Sequence, residues 1–284
     1  MYGIWTYLAA QGVKFILGEE QGKVTDLLYT GSGPCRTCTG IRTADKRTHT
    51  ASKTIIALGA WVANILPEIS HSIVARSWSV AHIQLTKQEC DYLRFLPTTN
   101  IRDLGFFFEP DPETRLFKLC PLGAGFTNRT NRTATGSNTL VSIPPSEIPI
   151  PPQDFIPYSD ELKLRHLLHQ TLPWLSHRPF VQKKICWFAD THDSDYCIDF
   201  VPNTNNSLVV LSGDSGHGFK MMPIFGKWVV ELLGAGVQKE QHWQWRKHGE
   251  ASEVWGDEVS WRIGTARELS ELVEEKERIE RAKL

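Results

Sequence analysis

The chain has 284 residues, of which 41% are hydrophobic and 22% charged, with Lys+Arg 31 against Asp+Glu 32. That composition is globular, and the length suits about two domains with a sizeable core. A net charge of −1 leaves no basic surplus to track phosphates or an anionic surface, so no nucleic-acid partner is expected; no run reaches the roughly 18 apolar residues of a spanning helix, so no membrane is expected either.

In chain order, MYGIWTYLAAQGVKFIL (1–17) reads as a helix running into a strand, without the basic leader and cleavage site of a secretory signal. GKVTDLLY (22–29) and GIRTAD (40–45) alternate as an antiparallel pair around a turn that contains PCRTC (34–38). A single CxxC is thin evidence for zinc or redox chemistry, so Cys35 and Cys38 are expected as free thiols at an exposed hairpin tip and no metal is assigned. The remaining cysteines, Cys90, Cys120, Cys186 and Cys197, are scattered, and the sequons at Asn128, Asn131 and Asn205 have no secretory context. A reducing or organellar interior fits both. In HTASKTIIALGAW (49–61) a strand from Thr54 to Leu58 runs into Gly59, Ala60 and Trp61, where the backbone either approaches a ligand or simply turns.

From Ile73 to about residue 127 the pattern is strand-like, in SIVARSWSVAHIQL, DLGFFFEP and RLFKLCPLGAGF. Polar sequence and the proline cluster SIPPSEIPIPPQDFIP then predict a long surface loop from Asn128 to Tyr158. SDELKLRHLLHQTLPWL (159–175) predicts an amphipathic helix capped by Ser159 or Asp160, with Leu162, Leu164, Leu167, Leu168 and Leu172 on its apolar side. Three short strands follow, KKICWFAD, DYCIDFVP and SLVVLSGD. The last breaks at Gly213 and restarts as a helix near Met221. Its glycines, Gly213, Gly216 and Gly218, would let backbone N–H groups face an electron-rich ligand at a helix start, with Asp214 accepting hydroxyls and His217 and Lys220 offering donors or charge. The fold class expected is α/β (α+β): two flanking pieces of one nucleotide-binding domain around a mainly antiparallel insertion.

GDSGHGFKMMPIFGKWVVELL, together with CWFADTHDSDYCIDFVP, TIIALGAW and RLFKLC, resembles the FAD-dependent secondary-amine oxidases: monomeric sarcosine oxidase, pipecolate and saccharopine oxidases, and the fungal fructosyl amino acid oxidases. The resemblance implies an incomplete FAD-binding Rossmann-like domain (1–70 and 181–240), an inserted substrate domain (71–180) and a C-terminal tail (241–284). It implies FAD held by Gly59, Ala60, Trp61, Gly213, Asp214, Gly216, His217, Gly218, Phe219 and Lys220, either noncovalently or linked through Cys186. A thiolate making that link needs nearby positive charge, and Lys183 and Lys184 precede it. By the same resemblance Lys118 is the catalytic lysine that promotes reaction with oxygen, and Lys220 binds the substrate carboxylate. Arg246, in WQWR, is a second candidate for that contact. The implied reaction is oxidation of the C–N bond of a secondary amino acid by a monomer that uses molecular oxygen and releases hydrogen peroxide.

Two departures qualify the resemblance. Fructosyl oxidases continue the lysine strand to a sugar-binding glutamate, where this chain has Leu122 in KLCPLGAGF; a buried sugar hydroxyl facing leucine loses a partner, which makes such substrates doubtful. The GxGxxG turn of the family does not occur in this sequence, so the chain is expected either as a truncated oxidase or as a noncatalytic remnant acting as a binding protein. The final Ala282-Lys283-Leu284 is close to the Ser-Lys-Leu tripeptide read in peroxisomal import, an address suited to peroxide chemistry.

Overall fold

The computed structural model describes residues 2–134, 137–145, 154–246 and 264–282. Lys283 and Leu284, and with them most of the terminal tripeptide, lie outside these residues, as does the middle of the proline cluster.

The largest sheet is built on the strand Val74–Gln84, whose alternating residues split its two faces. On one edge it pairs antiparallel with Val181–Asp190. On the other it meets Phe126–Thr127 and Leu116–Pro121, and the sheet continues through Gly105–Phe107 to Thr99–Ile101. The pairing puts Cys186 in this larger sheet, across from Trp78.

One face of this sheet is closed by the helix Tyr158–Thr171. Leu164, Leu167 and Leu168 are fully buried against Ile83, Phe107, Phe117 and Leu119, as a three-to-four residue repeat on one helix side requires. Two details of the expected helix are corrected. Leu162 points outward at 51% exposure, and the cap is Pro157, so Asp160 lies inside the first turn, where it is buried. Burial pushes the Asp160 carboxyl up to about 6, opposed by the nearby Ser79 hydroxyl and by the charge of Lys163.

A second, mixed sheet runs in the order Cys197–Phe200, Leu208–Ser212, Thr54–Ile56, the last pair parallel. The helix Met222–Ala235 packs Val229 and Leu232 on Ile198, Phe200 and Val209, and it ends at Gly236 in the left-handed conformation (φ 72) that suits glycine. Val24–Thr30 and Thr37–Thr43 pair antiparallel as expected.

Three expectations fail for stated physical reasons. Residues 13–17 form no strand: they have no ladder partner among the described residues, and Ile16 and Leu17 are exposed. The stretch expected as loop after Asn128 instead folds as a hairpin, Arg129–Ala134 with Ser137–Ser142, anchored by buried Val141 and by Ser142, whose hydroxyl donates to the Ala75 carbonyl. Cys38 is not at an exposed tip; it is fully buried in its strand, while Cys35 is exposed.

Candidate active site

The face of the large sheet opposite the helix carries the chemistry. Register places Lys118 beside His82, and Cys186 beside Trp78, with Phe188 two residues along on the same side. A cavity of about 800 Å³ opens on this face, and it is also lined by Gly216, His217 and Lys220 from the loop after Leu208–Ser212. Segments far apart in sequence therefore converge: Lys118, Cys186, Gly216, His217 and Lys220 share one cavity. Gly59, Ala60, Trp61, Gly213, Asp214, Gly218, Phe219 and Arg246 are not among its lining residues.

Part of its wall is aromatic, formed by Trp78, Phe106, Phe108 and Phe188. Trp78 and Phe188 stack at 5.1 Å and 23°, with the Trp78 indole N–H donating to the Gly123 carbonyl at 2.9 Å. Phe106 and Phe108 meet edge to face at 5.4 Å, and the Lys118 ammonium lies 6.0 Å over the Phe108 ring. Phe188 was legible as an alternate position on the Cys186 strand, whereas Trp78 and Phe106 lie on Val74–Gln84 and Gly105–Phe107 and join the wall only through strand pairing. Leu122 closes part of the wall, and no described lining residue is acidic.

Two thiols face the cavity and differ in character. Burial pushes the Cys120 thiol up to about 11 against the opposing charge of Lys118, so it stays protonated. Cys186 is only half-buried. Of its two preceding lysines, Lys184 shares its face of the strand, whereas Lys183 lies on the other face, 3.7 Å from Asp154. His82, buried beside Lys118, donates its Nδ1–H to the Gln182 carbonyl at 3.2 Å; burial, then the charges of Lys184 and Lys118, lowers its pKa.

The glycine loop is more self-contained than expected. Asp214 accepts from the Ala189 N–H at 2.9 Å and the Gly216 N–H at 3.2 Å, while its carbonyl accepts from the His217 N–H at 2.8 Å. The carboxylate thus organises its own turn, and burial raises its pKa against those two donors. Two of the N–H groups expected to face a ligand are already paired. Gly213 and Gly216 hold positive φ (78 and 77), and a Cβ on Gly216 would sit 3.1 Å from the Phe188 ring. Gly59 also has positive φ (52), but a Cβ there would meet nothing within 4 Å. Its carbonyl accepts from the Ser212 hydroxyl at 3.4 Å.

Arg246 is neither a surface arginine nor a cavity residue. It is 7% exposed, and its Nη2 donates to both Asp193 carboxylate oxygens at 2.7 and 2.8 Å. Burial alone would raise Asp193, but the bonded guanidinium outweighs it and holds the carboxyl below its ordinary value.

The fit of a flavin rests on these observations: an accessible thiol, a left-handed glycine corner and two lysines meet in one wide, aromatic-walled cavity. The comparisons agree. The FAD dependent oxidoreductase family matches residues 1–232. L-saccharopine oxidase of Schizosaccharomyces pombe is 32% identical over 216 residues, which are 75% of this chain and 49% of that protein. Among solved structures, a modified fructosyl peptide oxidase from Aspergillus nidulans superposes with a TM-score of 0.83 at 32% identity, covering 95% of this chain and 61% of that one. Amadoriase I from Aspergillus fumigatus gives 0.80 at 30%, covering 94% and 59%. The chain spans about half the length of the first of these relatives and about 60% of the two structures. The convergence of motif, fold and cavity leads to one assignment: the chain belongs to the FAD dependent oxidoreductase family, among the FAD-dependent secondary-amine oxidases.

Proposed function

We propose that the cavity oxidises the C–N bond of a secondary amino acid, giving an imine and hydrogen peroxide. The observation that supports this best is the meeting of Lys118, Cys186 and Lys220 in one cavity without a carboxylate among its described lining residues. When bound, FAD supplies the two-electron acceptor that oxygen then reoxidises. The exposed ammonium of Lys220 holds the substrate carboxylate, which orients the amine toward the aromatic walls. Lys118, an exposed ammonium over the Phe108 ring, places positive charge where oxygen gains negative charge. Cys186 is the attachment point for the flavin, with Lys184 as the cation on its side of the strand.

Leu122, an apolar side chain in the cavity wall, argues against a fructosyl substituent, because a buried sugar hydroxyl facing it loses a partner. The cationic, acid-free wall favours a carboxylate-bearing amine of the sarcosine, pipecolate or saccharopine type. In this reading the protein acts as a monomer in the peroxisome, addressed by Ala282-Lys283-Leu284. Peroxide release from sarcosine, L-pipecolate, saccharopine and fructosyl-glycine, measured with added FAD, tests the reading. Turnover of one of the first three is expected, and dominant turnover of fructosyl-glycine would overturn the substrate assignment. Failure to bind FAD would favour the binding-protein alternative.

A further inference from the structure

The segment between the Cys186 strand and Cys197–Phe200 is held in an unusual conformation. Ser194 has φ 65, a left-handed backbone that a side-chain-bearing residue keeps only where its surroundings impose it. Those surroundings are specific. Thr191 Oγ1 donates to the Asp195 carbonyl at 2.9 Å, and the Asp195 N–H donates to Asp193 Oδ1 at 3.1 Å. Arg246 then grips the loop from the tail, through both Asp193 oxygens and the Asp195 carbonyl at 3.3 Å. The tail is itself fixed, because the Trp245 N–H donates to Asp199 at 2.8 Å and His71 Nε2 lies 2.7 Å from the Arg246 carbonyl. At the centre of this clamp Ser194 lines the same cavity as Lys118 and Lys220.

We propose that Ser194 is a substrate-contacting, specificity-determining residue, and that Arg246 is the positioning residue that keeps it in the cavity wall by clamping Asp193. The inference rests on reading this cavity as the amine site. The wall combines the rings of Trp78, Phe106, Phe108 and Phe188 with the polar side chains of Asn100, Ser215 and His217, and the Ser194 hydroxyl, able both to donate and to accept, is the kind of group that helps fix the orientation of a polar substrate. Arg246 acts at a distance from the substrate, through the loop, and not as a second carboxylate-binding arginine.

The test is equilibrium binding of L-pipecolate and sarcosine to the purified chain by calorimetry, for the wild type and for Ser194→Ala, Arg246→Met, Arg246→Lys and the Ser194→Ala/Arg246→Met double variant. Ser194→Ala should weaken binding about five- to tenfold with an unchanged melting temperature, the size expected for one hydrogen bond. Arg246→Met should weaken it similarly, the double variant no more than the worse single, and Arg246→Lys should recover part of the loss. Non-additivity is the signature of two residues acting through one contact, which a merely structural role for Arg246 would not produce. Unchanged binding in Ser194→Ala, or additive losses in the double variant, would overturn the inference. Wild-type chain that binds neither amino acid would instead sink the amine-site reading on which it stands, and the inference with it.

Discussion

Lys118 and Lys220 present similar ammonium groups to one cavity, yet they should fail differently when removed. In the proposed reading Lys118→Met deletes charge used as oxygen is reduced, so oxidase turnover should fall about 10²- to 10³-fold with little change in substrate affinity. On the same proposal Lys220→Met removes the contact with the substrate carboxylate, so KM should rise more than kcat falls; steady-state kinetics at varied oxygen separates the two. Asp160 gives a pH prediction. Its folded pKa, about 6, lies above the ordinary 3.8, so the folded state holds the proton more tightly than the unfolded chain. Stability from this group is present at about pH 4 and lost as the pH rises to about 6. Asp160→Asn should therefore raise the melting temperature at pH 7.5 and leave it unchanged near pH 4, as followed by circular dichroism.

At the scale of elements, glycine corners and helix caps carry sharper expectations than composition does. Gly216→Ala must strain a left-handed residue and push on Phe188, for a loss of roughly 1 to 3 kcal/mol. Gly59→Ala meets only the backbone cost, about 1 kcal/mol, because the space beside it is open. Denaturant midpoints for the two variants rank them directly. The short helix Lys87–Tyr92 shows what the periodicity of the segment from Ile73 hides. Thr86 and Glu89 form a reciprocal capping box, with bonds of 2.7 and 3.2 Å, and TKQE was readable as one. The hairpin pairing Arg129–Ala134 with Ser137–Ser142 was not readable in the same way, since its strands are mostly polar, and among the described residues Val141 and Ser142 tie it to the core. Leucine spacing did give the helix over 158–171, and three of its five assigned leucines are fully buried. The role of Arg246 was hidden because its partner Asp193 is distant in sequence, and only the fold brings the pair together.

Taken as a molecule, the chain presents apolar surface around the parallel pair of its smaller sheet. Ile55, Leu58 and Trp61 are 36 to 47% exposed beside Thr54–Ile56, which is the edge strand among the described residues. The groups proposed as catalytic on strands, Lys118 and Cys186, sit on the large sheet, while the Gly59–Trp61 turn does not line the cavity. If FAD binds, ligand at 100 times its Kd should stabilise the chain by about 2.7 kcal/mol, visible as a shifted melting temperature. The most direct measurement is the visible spectrum of the purified chain with FAD, taken before and after acid precipitation. Flavin absorbance near one per chain, retained in the pellet for the wild type and released for Cys186→Ala, is the predicted result. A colourless chain that also rejects added FAD would contradict the proposal that this cavity works as an oxidase site.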